Sequence, residues 1–190
     1  AVLQDLIDAR EEAELTGRVF IHPYADVDVI AGQGTMMLEM SDSLKEMDIV
    51  IGAIGGGGLM SGVSTVIKQV NPQIKIYGVE PKGCACVQAS LQAGKIVEIH
   101  DVKTTVSTLA IRRTSEINFS ILSKNIDDIF LVEDHEMLEA SQWLWAHCSI
   151  AAEQSGAAPI AALLTRKVPD ISGKNVCALI SGAGPDGIQM

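Results

Sequence analysis

The sequence predicts an α/β fold, a mostly parallel, twisted sheet with helices on both faces. Three observations predict it. Short β-branched apolar runs alternate with amphipathic segments of helical length, the pattern of repeated β–α units. Two of these runs end in glycine turns, Gly55-Gly56-Gly57-Gly58 after Ile54 and Ser181-Gly182-Ala183-Gly184 after Ile180. Such sheets bind ligands at the carboxyl ends of their strands, where both turns fall. The 190 residues are 47% hydrophobic and 20% charged, enough apolar material for one buried core. A single domain over residues 1–190 is expected, with no internal repeat, linker or low-complexity tract.

Leu3 to Thr16 reads as an acidic amphipathic helix stopped by Gly17, and Arg18 to Ile21 as a short strand. Gly34 to Lys45 is expected to be helical and to lead into the buried strand Asp48-Ile49-Val50-Ile51-Gly52-Ala53-Ile54. Leu59 to Val70 is the next helix, ending near Asn71-Pro72. Lys75 to Glu80 is a strand, Cys84 to Ala93 a helix stopped at Gly94, and Lys95 to Arg113 an irregular, more polar stretch. Asp128 to Val132 is a strand, followed by a long helix from a capping Asp134 with Glu136 and Glu139 in its first turns. Gly156 to Leu164 is a second apolar helix, and Asn175 to Ile180 the last strand.

The four-glycine loop follows a buried strand and opens a helix. Backbone N–H groups converge there with no side chains in the way, and the helix dipole favours negative charge. Phosphate is the expected guest. Gly57 to Gly62 keeps the outer spacing of a nucleotide-binding loop, but Val63-Ser64 stands where that loop needs Lys and then Ser or Thr. ATP and GTP are therefore disfavoured, for want of a side-chain countercharge. The dinucleotide fingerprint G-x-G-x-x-G fits no start in the run. The alternative is a tight strand-to-helix turn with no ligand. Four consecutive glycines weaken a helix start for no structural return, which argues against it.

The net charge of −10 argues against nucleic acid or an anionic membrane as the main partner. No apolar stretch reaches transmembrane length, and Ala1 to Arg18 carries no secretory pattern. Cys84, Cys86, Cys148 and Cys177 form neither a Cys-x-x-Cys pair nor a disulfide framework. Reduced, buried thiols in a cytoplasmic protein are expected. His22 reads as part of a turn, while His100, His135 and His147 have no partner at ligand spacing. Trp143 and Trp145, two apart on a helix, cannot share a face, so one is expected in the core and one at a contact surface. Arg112-Arg113 is expected to face solvent, and the Gly-x-Ser-x-Gly hydrolase motif is absent.

His22-Pro23, Val29-Ile30-Ala31-Gly32-Gln33-Gly34-Thr35 and the four-glycine loop with Leu59 and Gly62 together resemble the fold-type II pyridoxal-phosphate enzymes. Tyr77-Gly78-Val79-Glu80-Pro81, Asp127-Asp128-Ile129 and Ile180-Ser181-Gly182 follow in that family's order and spacing. The likeness is best to the threonine/serine dehydratase and serine racemase branch, and runs from about Gly17 to Gly182. It implies an incomplete large domain of the tryptophan synthase β-like fold and pyridoxal 5′-phosphate as cofactor. It also implies that Gly55, Gly56, Gly57, Gly58 and Leu59 hold the phosphate, and that Ser181 meets the pyridine nitrogen as a neutral hydroxyl. Glu153 matches an acidic residue near the ring, the alternative being a solvated charge at a helix end. The implied activity is that of a threonine/serine ammonia-lyase, converting the small amino acid L-threonine to 2-oxobutyrate and ammonia. Glu80 and the Cys84 carbonyl fall where some relatives bind a divalent cation. Cys86 replaces an aspartate there, so no metal is expected.

Two departures qualify the likeness. The family's cofactor-bonding lysine lies in a Ser-x-Lys-x-Arg-Gly type motif before the glycine loop, and no lysine of this chain sits in such a motif. The asparagine-bearing loop that receives the substrate carboxylate is missing too, with most of the small domain. The expectation is a carboxyl-terminal fragment without a catalytic residue of its own, inactive alone. It would form a homo-oligomer or join the missing amino-terminal part. Val106-Ser107-Thr108 also stands where relatives carry Ala-Asp-Gly, and Ser181-Gly182-Ala183-Gly184 where they carry Ser-Gly-Gly-Asn. Two alternatives stay open: a serine racemase-like or β-replacement enzyme of the same fold, and a non-catalytic phosphate-binding remnant.

Overall fold

Apolar and β-branched residues fill four parallel strands, Ile49–Ala53 (β1), Lys75–Pro81 (β2), Asp128–Val132 (β3) and Val176–Ala178 (β4). The computed structural model, which describes residues 2–188, orders them β3-β2-β1-β4. β1 is an inner strand, with Ile51 opposite Tyr77 on one side and Ala178 on the other. Successive side chains of a strand point to opposite faces. Val50 accordingly enters one core with Met60, Ile67 and Ile76, while Ile51 enters another with Val79, Met137 and Ala158. Both faces of β1 are buried, as an inner strand of a parallel sheet requires.

The helices are Val2–Thr16 (α1), Val27–Glu39 (α2), Gly58–Val70 (α3), Cys86–Ala93 (α4), Glu116–Asn125 (α5), Asp134–Cys148 (α6) and Gln154–Leu164 (α7). Met37, Val63, Val87 and Leu122 bring α2 to α5 onto the first face; Leu144 and Ala161 bring α6 and α7 onto the second. α2 and α3 meet backbone to backbone. A Cβ on Gly62 would stand 2.2 Å from Ile30 O and 2.7 Å from Gly34 N, so this crossing needs glycine.

Several expected boundaries move. No strand forms at Arg18–Ile21; the segment is irregular and Val19 is 86% exposed, with no neighbouring strand among the described residues to share its hydrogen bonds. The helix expected from Gly34 to Lys45 starts instead at Val27. Asp26 caps it, its carboxylate accepting from Asp28 N at 2.8 Å and Val29 N at 3.3 Å. Of the expected second half, only a 3-10 turn at Ser43–Glu46 remains. α5 falls where the sequence suggested no element. Its signal is Ser115, whose hydroxyl accepts from Asn118 N at 3.2 Å.

α6 is capped by Glu133 in a reciprocal box with Glu136, and Asp134 is turned to another task. Neither tryptophan enters the core, Trp143 being 36% and Trp145 41% exposed, because α6 buries Met137, Ala140, Ser141 and Leu144. Cys84 and Cys86 are buried as expected; Cys148 is exposed at the end of α6. No helix among the described residues is long and apolar enough to cross a membrane.

Candidate functional site

β1 ends at Ala53 and α3 begins at Gly58, so the glycine loop closes the strand-to-helix turn at the sheet's carboxyl edge. Each glycine has a steric reason. Gly57 has φ +97°, in the left-handed region, and caps α3. A Cβ on Gly56 would stand 2.3 Å from Tyr24 Cδ2, one on Gly58 2.8 Å from Tyr24 O, and one on Gly55 2.9 Å from Thr108 O. The expectation that the glycines give no structural return is thus corrected: packing alone demands them. What packing leaves over is a set of donors. Among the described residues, no protein acceptor engages the N–H groups of Gly56, Gly57, Gly58 or Leu59. Those of Gly58 and Leu59 are first-turn donors with no intrahelical partner.

These donors border a cleft of about 510 Å³. All seven residues singled out from sequence line it: Gly55, Gly56, Gly57, Gly58 and Leu59 on one side, Glu153 and Ser181 on the other. Tyr24, Ser107 and Thr108 are among the other residues of its walls.

The side carrying Ser181 is pinned to the start of α7. Glu153 N donates to Gly182 O at 3.1 Å, Gly184 N to Ala151 O at 3.1 Å, and Gln154 N to Asp186 Oδ2 at 2.9 Å. The Ser155 hydroxyl donates to Glu153 Oε1. A Cβ on Gly182 would lie 2.3 Å from that oxygen. Glu153, half-buried at the start of α7, packs against Gly182 and Ser155, while Ser181 is exposed at the cleft rim.

Tyr24 is held by the turn before it. His22 Nδ1 accepts from Tyr24 N at 3.3 Å and Ala25 N at 3.1 Å, and burial, with the nearby Arg10, holds its pKa below the usual histidine value. The segment bearing Ser107 and Thr108 is anchored by Asp134, which accepts from Thr104 Oγ1 at 2.7 Å, Thr105 N at 2.6 Å and Thr105 Oγ1 at 2.8 Å. Burial works against that carboxylate, but the donors outweigh it and hold its pKa low. Arg112, half-buried, is committed to Ile99 O at 3.0 Å and to Glu98 at 3.2 Å.

Glu80 faces away from the cleft. Wholly buried, it accepts from Val87 N at 2.9 Å and Gln88 N at 2.7 Å at the start of α4, and burial pushes its pKa up to about 8. The Cys84 thiol donates to Ile111 O at 3.2 Å and is pushed up to about 11 by burial. Among the described residues, no group of three His, Cys, Asp or Glu side chains is placed to hold a metal.

The profile of the family described as pyridoxal-phosphate dependent enzyme matches residues 3–182. This chain belongs to that family. It is 36% identical over 173 residues to the L-threonine ammonia-lyase of Thermotoga maritima, covering 91% of this chain and 43% of that protein. Against the catabolic L-threonine dehydratase of Escherichia coli it is 36% identical over 177 residues, 93% of this chain and 54% of that one. The chain spans about half the length of the curated relatives it matches. Its fold superposes on the processed form of threonine deaminase isoform 2 from Solanum lycopersicum with a TM-score of 0.85, 34% identity, and coverage of 94% of this chain and 52% of that chain. Maize serine racemase gives 0.84 and 31%, covering 92% and 56%. The four-stranded parallel sheet is thus an incomplete form of that fold.

The family's cofactor is pyridoxal 5′-phosphate, and the cleft fits it. The unengaged loop donors suit a phosphate, and the volume suits a small aromatic ring. No lysine is among the described residues that line the cleft. Sequence reasoning missed Tyr24, whose contact with the glycines has no local signal; the adjoining His22-Pro23 pair was the clue available.

Proposed function

We propose that this chain forms the cofactor-binding part of a pyridoxal-phosphate-dependent threonine/serine ammonia-lyase. The observation that carries the proposal is the convergence of the unengaged loop N–H groups, Ser181 and Glu153 on one cleft. The names of the similar proteins, L-threonine ammonia-lyase and L-threonine dehydratase, supply the reaction. The net reaction converts L-threonine to 2-oxobutyrate and ammonia: the β-hydroxyl leaves as water, and water is taken up again as ammonia departs.

Pyridoxal phosphate, when bound, supplies a sink for the electrons released as the α-proton leaves. Gly56, Gly57, Gly58 and Leu59 would hold the phosphate by backbone N–H and so fix the position of the ring. Ser181 would offer the ring nitrogen a neutral hydroxyl rather than a charged partner, which suits elimination. Glu153 keeps the Ser181-Gly182 backbone in place through Gly182. With no lysine in the lining, the chain alone is inactive: cofactor attachment and α-proton removal need a residue from elsewhere. We propose association with another copy or a complementary segment, which exposed Trp143, Trp145 and Leu164 support. A stable monomer in sedimentation would contradict it.

The superposition on maize serine racemase favours racemisation as the second reading. Titration with pyridoxal phosphate, then addition of L-threonine or L-serine, separates the readings. Saturable binding without 2-oxo acid supports the proposal. Oxo-acid formation by the chain alone overturns the inactivity, D-serine formation favours the racemase, and no binding leaves a remnant without the site.

A further inference from the structure

Two buried side chains grip the glycine loop from behind. Thr114 Oγ1 donates to Gly56 O at 2.9 Å, and Asn118 Nδ2 donates to the same oxygen at 3.0 Å and to Tyr24 O at 2.7 Å. Thr114 is 2% exposed and Asn118 fully buried, and neither lines the cleft. Which amide atom is nitrogen follows from the partners, since the reverse placement would set Oδ1 against two carbonyl oxygens. Asn118 keeps this arrangement although its buried Oδ1 has no partner, an energetic loss that an apolar residue of similar size would avoid.

The consequence lies in the geometry of one peptide unit. Its plane is rigid and trans, so the Gly57 N–H points opposite to the Gly56 carbonyl. Two donors that hold the carbonyl toward α5 therefore turn the Gly57 N–H away from α5, to the side where the cleft opens. A flipped plane would present a carbonyl oxygen, the negative end of the dipole, to an anion. The same Asn118 amide holds Tyr24 O, so the loop and the Tyr24 wall are set by one side chain. The Cβ distances at Gly56 and Gly58 place that spacing at the limit of contact.

We propose that Thr114 and Asn118 are positioning residues of the phosphate site: they aim the loop's N–H groups and so set its affinity for a phosphate monoester. This rests on the glycine loop being the cofactor's phosphate site. The test compares pyridoxine 5′-phosphate with pyridoxine, neither of which carries an aldehyde to react with lysines. Equilibrium dialysis against the full chain gives two dissociation constants, and their ratio isolates the phosphate. A merely structural role would weaken both ligands alike and leave the ratio unchanged.

The wild-type chain should prefer the phosphate ester, and Thr114→Val should cut the preference about fivefold, as expected for one lost hydrogen bond. Thr114→Ser, which keeps the hydroxyl, should restore it, and Asn118→Leu should cost more than Thr114→Val. If Asn118→Leu does not fold, the two Thr114 variants decide. A folded Thr114→Val with the full wild-type preference overturns the positioning role alone. A wild-type chain with no preference overturns the phosphate site and the positioning role together.

Discussion

The Tyr24 ring lies against the Cα of Gly56, so near that a Cβ there would stand 2.3 Å from Cδ2 and 2.4 Å from Cγ. A ring edge and a glycine in such contact move together or not at all. Gly56→Ala must push Tyr24 off the loop or tilt the loop's own peptides. It is expected to destabilise the fold by about 1–3 kcal/mol, and to weaken pyridoxine 5′-phosphate more than pyridoxine. Urea unfolding and dialysis check the two halves; an unchanged ratio of affinities would show that the loop does not carry the phosphate.

Ser181 is exposed and hydrogen-bonds no other described residue, so its loss should leave stability within about 0.5 kcal/mol of wild type. Ser181→Ala is expected to weaken pyridoxine and pyridoxine 5′-phosphate equally, by about fivefold, because the partner proposed for Ser181 belongs to the ring that both ligands share. A change confined to the phosphate ester would place Ser181 at the wrong end of the cofactor.

Asp134 joins three donors of the segment that leads to Ser107 and Thr108. Asp134→Ala leaves Thr104 and Thr105 without their acceptor, and should destabilise by about 2 kcal/mol. Amide hydrogen exchange should rise over residues 104–108 first. Faster exchange spread evenly over the chain would argue that Asp134 does not hold this wall specifically.

Glu80 predicts a pH dependence. Burial raises its carboxyl from the ordinary 4.5 to about 8, against the pull of the Val87 and Gln88 N–H groups. A folded pKa above the unfolded one means that the folded state binds the proton more tightly. The stability this gives is complete below 4.5 and is lost as pH rises through about 8. Wild type should therefore lose stability with pH across this window relative to Glu80→Gln, which has no proton to release. Parallel curves of unfolding free energy against pH would contradict the assignment.

The legible parts of this fold were those whose signal is local. β3 has the bounds its sequence predicts because Asp128-Ile129-Phe130-Leu131-Val132 is a short run rich in apolar and β-branched residues. Gly55 to Gly58 are legible as a glycine turn at the carboxyl end of a strand, whereas Leu59, Ser181 and Glu153 are pointed to only by the family resemblance; all seven line the cleft. What escaped was set by distant partners. Arg18–Ile21 has a strand-like composition but no neighbouring strand among the described residues, and α2 starts early because the Asp26 cap outweighs Gly32 and Gly34. Glu133 displaced Asp134 as the cap of α6, since Thr104 and Thr105, some thirty residues earlier, claim the aspartate. Asn118 and Thr114 act on Gly56 across about sixty residues of sequence, and no spacing rule reports that.

The most direct test of the phosphate site is an amide NMR titration of the chain with pyridoxal 5′-phosphate. The account predicts saturable shifts of the Gly56, Gly57, Gly58 and Leu59 N–H resonances, with the amides of Glu98, His100, Asp101 and Val102, which line a separate cleft, unmoved. Shifts that miss those four amides, or follow only lysine side chains, would contradict it.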